Sequence, residues 1–357
     1  MKMFSSHLRV CLRRINIRCN SSSNGIKFSS TAAAAAADSG KIMNSSQLKS
    51  RGLIKLTGND TESFLQGLIT NDLKCFTQHQ CHSLYTMMLN VQGRILYDFL
   101  MYNISEQNST DVNDILIECD SSAVTEVIAT LKRYKIRKKV DISDVSDSLK
   151  VWTIFPNKIP ESSENLKDLD IVDESKATVI SADPRLKSIG FRCLLPENTH
   201  ISQVVKDTKI EENEDLYRIH RYQLGIAEGV SDFHPGKSLP LESNLVFLNG
   251  VNFNKGCYIG QELTARTHHT GVTRKRIMPL FLDGNSDGLE FDDSIKIENG
   301  KGAGKYRNGL QNSAIGLIRL SDVNKNLAIE KKDGATVKIR ATVPFWWPDD
   351  VTAPKTN

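Results

Sequence analysis

The stretch Lys255-Gly256-Cys257-Tyr258-Ile259-Gly260-Gln261-Glu262 sets one thiol between a lysine and a glycine-punctuated turn, and it runs on into Leu263-Thr264-Ala265-Arg266. Gly256 and Gly260 let the backbone bend where a side chain would block it. Gln261 to Arg266 reads as a helix start, which brings backbone N–H groups close to Cys257. A helix start and the Lys255 cation both favour the thiolate, the form that attacks electrophiles and binds metal. The blander alternative is a small inert cysteine at a loop–helix junction, with Lys255 in solvent and Glu262 doing no more than capping the helix. Arg266, His268, His269, Arg274, Lys275 and Arg276 follow as a basic stretch. It is either a solvated surface or a receiver for carboxylates brought to the thiol.

A second chemical candidate is Asp98, which interrupts the apolar run Ile95-Leu96-Tyr97-Asp98-Phe99-Leu100-Met101-Tyr102. A carboxylate in so apolar a strand is costly unless paired or hydrogen-bonded. It is either functional or an acid satisfied by backbone or arginine.

Positioning these groups requires a folded frame, and the hydrophobic pattern outlines one. Leu53 to Leu56 reads as a strand, Asn59 or Asp60 as a helix cap, and Phe64-Leu68 and Leu65-Ile69 as the buried face of that helix. Tyr85 to Leu89 and Ile95 to Tyr102 predict a hairpin through Asn90-Val91-Gln92-Gly93. Ile115 to Glu118, then Val124, Val127, Ile128 and Leu131, then Ile136 to Ile142 predict strand, helix and strand. Further strands are expected at Val151 to Phe155 and Phe191 to Leu195, with a helix over Glu214 to Leu224. Beyond Arg276 short strands split by Gly, Asn and Asp suggest a small terminal barrel, at Ile277 to Leu282, Ile295 to Ile297, Ala314 to Leu320 and Val337 to Val343. The class is α+β, with boundaries at 39–150, 151–275 and 276–357 after an N-terminal segment 1–38. Trp346 and Trp347 are expected to pack the last segment onto the barrel or to mark a partner surface.

The 357 residues suffice for two or three compact units. The net charge of +4 comes from the N-terminus, where Lys2, Arg9, Arg13, Arg14, Arg18 and Lys27 precede the first acid, Asp38. Removing those six from the 46 basic residues leaves 40 against 42 acidic ones, so the folded part carries no global footprint for nucleic acid. Phe4, Leu8, Cys11, Leu12 and Ile15 share one helical face opposite Lys2, Arg9 and Arg13, the pattern of a mitochondrial presequence. No run approaches the length of a membrane span. Cys75, Cys81, Cys119, Cys193 and Cys257 follow the presequence, an odd set without a Cys-x-x-Cys pair or Cys-His ligand spacing. Neither a disulfide framework nor a self-contained zinc site is expected, so a metal held here needs ligands from a partner or small molecule.

The octapeptide around Cys257 resembles the signature of the YgfZ family, folate-binding relatives of the glycine-cleavage T-protein whose mitochondrial members help assemble iron-sulfur proteins. Leu56-Thr57-Gly58-Asn59-Asp60 with Phe64-Leu65-Gln66-Gly67 and Thr70-Asn71-Asp72 is similar to that family's opening helix. Asp183-Pro184-Arg185-Leu186 with Gly190-Phe191-Arg192 resembles its central motif, and Arg221-Tyr222-Gln223-Leu224-Gly225-Ile226, with Pro240 and Asn244 after it, the lead-in to the cysteine. The resemblance spans about residues 50 to 280. It implies two sheet-and-helix domains and a β-barrel in a T-protein-like cloverleaf around a central opening. It also implies a mitochondrial matrix factor that works with A-type iron-sulfur carriers to mature 4Fe-4S client enzymes, with a cluster held transiently or shared through Cys257. In the T-protein the segment matching Met88-Leu89-Asn90 onward carries two successive aspartates beside the folate, and these match Tyr97 and Asp98. The residues implied for chemistry are Cys257, Lys255 and Asp98; those implied for tetrahydrofolate are Asp98, Tyr97, Tyr258, Gln261, Glu262 and Arg266. The alternative function is a tetrahydrofolate-dependent one-carbon transferase, against which stand the aspartate replaced at Tyr97 and a cysteine where T-proteins carry an acidic residue.

Overall fold

A computed structural model describes residues 43–78, 80–105, 112–159 and 168–351. The presequence expected over 1–38 lies outside the described residues.

The first lobe is a sheet of β2 (Arg51–Thr57), β3 (Ser83–Leu89), β4 (Ile95–Asn103), β5 (Asp114–Asp120) and β6 (Asp141–Asp144), ordered β3-β4-β5-β2-β6 with antiparallel neighbours. Side chains alternate across a strand. Ile54, Leu56, Phe99, Met101, Ile115 and Ile117 therefore share one buried cluster, while Leu53, Tyr85, Leu100, Tyr102 and Leu116 belong to another on the opposite face. The first cluster is covered by α1 (Thr61–Gln66), by the short α2 (Lys74–Thr77) with Phe76, and by α3 (Val124–Lys135), which buries Val124, Val127 and Leu131 at helical spacing. The strand expected from Ile136 begins instead at Asp141. Ile136 ends α3 at φ +47° and lies 86% exposed, so an apolar residue here marks a turn. Asp60 precedes α1 but makes no cap bond to it, and its carboxylate accepts instead from the Lys139 N–H at 2.7 Å.

The second lobe orders its strands β10-β1-β7-β9-β8, from β1 (Met43–Gln47), β7 (Leu149–Pro156), β8 (Val179–Ala182), β9 (Phe191–Pro196) and β10 (Thr208–Ile210). Its strand β1 precedes the first lobe in the sequence, so the lobes are interleaved and do not divide at residue 150 as the sequence suggested. β1 was also unforeseen as a strand. Asn44, Ser45 and Ser46 are buried, and their polar atoms are satisfied by Asn157, Thr208 and the Asn213 carbonyl.

The third unit is a closed barrel, β11-β14-β13-β12-β15-β16, built from β11 (Lys275–Leu282), β12 (Ser294–Ile297), β13 (Gly302–Leu310), β14 (Ser313–Arg319), β15 (Leu327–Glu330) and β16 (Thr336–Ala341). Trp347 is buried with the barrel core beside Phe247, and Trp346 donates its indole N–H to the Leu224 carbonyl at 2.9 Å. The tryptophan pair thus fastens the tail to the barrel and to α4 (Asp215–Leu224), which the short α5 (Val230–Phe233) follows. Tyr217 and Tyr222 of α4 join Leu53, Tyr102, Phe155, Leu194, Ile277 and Ile315 in one core, so all three units meet around this helix. Among the described residues no helix is long and apolar enough to cross a membrane.

Candidate functional site

The centre of the cloverleaf is filled by charge. Arg51, Asp98, Glu118 and Arg192 occupy the same strand faces as Leu53, Leu100, Leu116 and Leu194, so the period that builds the core also turns these four inward. Glu118 accepts from Arg51 Nε at 2.9 Å, Arg192 Nε at 3.3 Å and the Tyr102 hydroxyl at 2.7 Å. Asp183 grips Arg185 through both oxygens, at 2.9 and 2.7 Å. Glu228 Oε2 gathers Arg185 at 2.6 Å, Arg192 at 2.9 Å and the Tyr217 hydroxyl at 3.0 Å, with Arg221 Nε at 3.6 Å from its other oxygen. Arg221 and Tyr222 then reach Asp232 at 3.0 and 3.1 Å. Burial by itself raises the Glu228 pKa, but Arg185, Arg221, Arg51 and Arg192 outweigh it and hold the carboxyl well below its ordinary value.

Asp98 differs from the other acids of this network. Its Oδ1 accepts the Gly229 N–H at 3.0 Å, whereas Oδ2 is buried with no partner. Burial raises its pKa, against the opposing pull of Arg51. Arg51 Nη1, Arg185 Nη1 and the Tyr85 hydroxyl are also buried without partners, and Arg51, Arg185 and Tyr85 all act electrostatically on or with Asp98. A cleft of about 530 Å³, lined by Lys49, Arg51, Tyr217, Arg218, Arg221 and Glu228, opens onto the network. Asp98 and the 183–192 motif were visible in the sequence; Arg51, Glu118, Tyr217 and Glu228 were not singled out. Glu118 carries the signal that flagged Asp98, a carboxylate inside an apolar strand.

Cys257 lies elsewhere, exposed on a strap that runs over the first lobe. Before it, Thr70 Oγ1 donates to the Gly250 carbonyl at 2.7 Å and Asn71 Nδ2 to the Asn249 carbonyl at 2.7 Å. After it, the Ile259 N–H donates to the Gly67 carbonyl at 3.1 Å. Gly260 follows at φ +79°, where a Cβ would lie 2.4 Å from the Asn90 carbonyl oxygen, so glycine is required. Helix α6 (Gln261–Thr270) then begins, and the Gln261 side chain accepts the Tyr258 N–H at 3.1 Å. Lys255 does not address the thiol. It is buried, and its ammonium donates to the carbonyls of Gln66, Ile69 and Asn71 at 2.8, 2.7 and 2.6 Å.

The residues expected around a folate do not converge. Tyr97 alternates with Asp98 on β4 and therefore points the opposite way, into the cluster under α3, where it stacks near Phe99; burial, followed by the nearby Glu126 carboxylate, raises its pKa. Glu262 and Arg266 pair with each other at 3.6 Å on an exposed face of α6. Tyr258 enters the central core, its hydroxyl unpartnered and its pKa pushed up to about 12 by burial. Gln261 is held by the strap itself. In the basic stretch, Arg276 is half-buried over the Phe247 ring at 4.2 Å and Lys275 faces Glu242 at 3.8 Å; Arg266, His268, His269 and Arg274 are exposed, with His268 stacked on Phe253 at 3.8 Å. Contrary to the expectation from spacing, Cys75 and Cys81 form a disulfide, drawn together by a turn in which the Gln80 and Cys81 N–H groups donate to the Cys75 carbonyl. Among the described residues no group of three or more His, Cys, Asp and Glu is placed to hold a metal ion.

Comparison with known proteins matches residues 32–179 to the GCVT N-terminal domain and residues 274–349 to the CAF17 C-terminal beta-barrel domain. The iron-sulfur cluster assembly factor IBA57, mitochondrial, of Mus musculus is 40% identical over 311 residues, 85% of either chain. Its Homo sapiens counterpart is 38% identical over 312 residues with the same coverage. The glycine cleavage system aminomethyltransferase T from Bartonella henselae superposes with a TM-score of 0.60 at 13% identity, over 85% of this chain and 86% of that one, a likeness of fold. With a T-protein fold, a C-terminal barrel and this identity over most of its length, the chain belongs to the IBA57 family of mitochondrial iron-sulfur cluster assembly factors.

Proposed function

We propose that this protein works in the mitochondrial matrix with A-type carriers to mature 4Fe-4S client enzymes, and that Cys257 supplies one ligand to a cluster shared with the carrier. The observation that carries this reading is the exposure of Cys257. Cys119 and Cys193 are buried, with pKa values pushed up to about 12 chiefly by burial, which makes them poor ligands. Among the described residues Cys257 is the one accessible thiol, an incomplete donor set for iron that ligands from a partner would complete. The cluster is cargo here, passed on to clients. Anaerobic visible and circular dichroism spectroscopy of the protein mixed with an A-type carrier tests the proposal. A cluster signal that needs both proteins and disappears with Cys257→Ala is expected. A signal unchanged by that substitution refutes the role of the thiol.

A second reading, tetrahydrofolate in the central opening with one-carbon transfer, draws on Asp98. Asp98 Oδ2, Arg51 Nη1, Arg185 Nη1 and the Tyr85 hydroxyl, each buried without a partner, offer acceptors and donors of the kind that the amino-oxo edge of a pterin requires. Asp98 would hold the amino side and the arginines the oxo side. Bound folate would supply one-carbon carriage; the chain's own groups would bind, orient and exclude water.

A further inference from the structure

We infer that Lys255 is the positioning residue for Cys257, its ammonium bolting the thiol-bearing strap to three backbone carbonyls of the first lobe. This rests on the reading of Cys257 proposed above. An ammonium has three N–H donors, and here each has one carbonyl within 2.8 Å. Gln66 ends α1, so its carbonyl is one of those a helix terminus leaves without an intrahelical donor; Ile69 and Asn71 lie in the turn that follows. Lys255 therefore closes the end of α1 from 189 residues away in sequence and ties that end to the strap.

The other ties lie on either side of the thiol. Asn249, Gly250 and Asn252 are bonded to Thr70 and Asn71 before it, and Ile259 to Gly67 after it. Between Lys255 and Ile259 the strap is exposed at Gly256 and Cys257, and a Cβ placed on Gly256 would meet nothing within 4 Å. The thiol thus stands on a short open span whose near end is the lysine bolt, with space beside it for an incoming carrier. Arginine cannot replace this lysine, because a planar guanidinium spreads its N–H groups in a fork and cannot converge three of them on one small cage.

The test uses the full chain with Lys255→Met, Lys255→Arg and Lys255→Ala, and reads amide hydrogen exchange over 249–262 by mass spectrometry together with the shared cluster signal formed with an A-type carrier. Lys255→Met and Lys255→Arg should exchange about tenfold faster in the strap while barrel amides keep their protection, and the cluster signal should fall by a similar factor. Adding n-propylammonium to Lys255→Ala should restore both readouts, and n-propanol neither, which a loss of packing would not produce; this arm stands even if the Met variant fails to fold. Strap exchange equal to that of the parent, or a full cluster signal from a loosened strap, overturns the inference. If Cys257→Ala retains the cluster signal, the assembly reading fails, whereas the exchange measurement still reports on the bolt.

Discussion

Replacing Glu228 by Gln removes one negative charge from the centre of the buried network without changing side-chain size. Oε2 of Glu228 receives Arg185, Arg192 and Tyr217, and Arg221 stands 3.6 Å from Oε1. An amide offers one acceptor, and its NH2 would confront a guanidinium donor. Breaking a buried ion pair costs about 3–5 kcal/mol. Arg185 keeps Asp183, Arg192 keeps Glu118 and Arg221 keeps Asp232, which places the expected loss near the lower bound, about 3 kcal/mol. For about 300 ordered residues at roughly 2 cal/mol/K each, that corresponds to a Tm lower by about 5 °C. Because the Glu228 charge is one cause of the raised Asp98 pKa, its removal shifts Asp98 toward the carboxylate, which offsets part of the lost charge. Asp98→Asn should therefore cost more in the Glu228→Gln background than alone, a coupling that a double-mutant cycle in calorimetric melts at pH 7 would read. A loss below about 1 kcal/mol, or strict additivity, would refute the account of a charge-balanced centre.

Other expectations follow from single groups. His220 is buried, and desolvation lowers its pKa from 6.5 to about 4; the unfolded chain binds the extra proton, so stability rises with pH across that window and about 2 kcal/mol should be lost between pH 7 and pH 5. Denaturant titrations at the two pH values should show a smaller difference for His220→Gln, and an equal one would assign the acid sensitivity to other groups. Asp98→Asn alone should change stability by less than about 1 kcal/mol, because burial already favours the protonated acid; calorimetric titration should show weakened tetrahydrofolate binding, and a variant that unfolds instead makes Asp98 a structural acid. Iodoacetamide should label Cys257 in the native protein, Cys119 and Cys193 after denaturation, and Cys75 and Cys81 after reduction as well. Labelling of all five without reductant would contradict the disulfide.

The hairpin of β3 and β4, the helices α3 and α4 and the strand β11 were legible because their apolar periods coincide with their burial. β1 was not, since Asn44, Ser45 and Ser46 are buried by hydrogen bonds and not by hydrophobicity. β13 runs through Gly302-Ala303-Gly304-Lys305 and Asn308-Gly309, and only the barrel's closure makes it a strand. The same limit applies to the site. Cys257 was legible from its own neighbours, and Asp98 from the strand around it. The partners of Lys255 were not, because proximity in sequence pointed at Cys257 while the fold supplied carbonyls from Gln66, Ile69 and Asn71. Likewise Arg51 and Glu118 of the first lobe and Glu228 of the segment after α4 become one network only when Arg192 of the second lobe faces them.

The interleaving of the lobes sets an order of events in time. β1 sits between β7 and β10, and its side-chain bonds to Asn157, just past β7, and to Thr208 of β10 span 113 and 163 residues. A chain delivered from its N-terminus can complete the first lobe, β2 to β6, while β1 waits without neighbours. An apolar strand kept waiting would seek other exposed edges and invite aggregation. Met43-Asn44-Ser45-Ser46-Gln47 stays compatible with water until its partners arrive, so the polarity that hid the strand in the sequence is what makes a late-closing pairing safe. Closure of the second lobe then becomes the slow, long-range step, and the Arg192 side of the buried network cannot assemble before it.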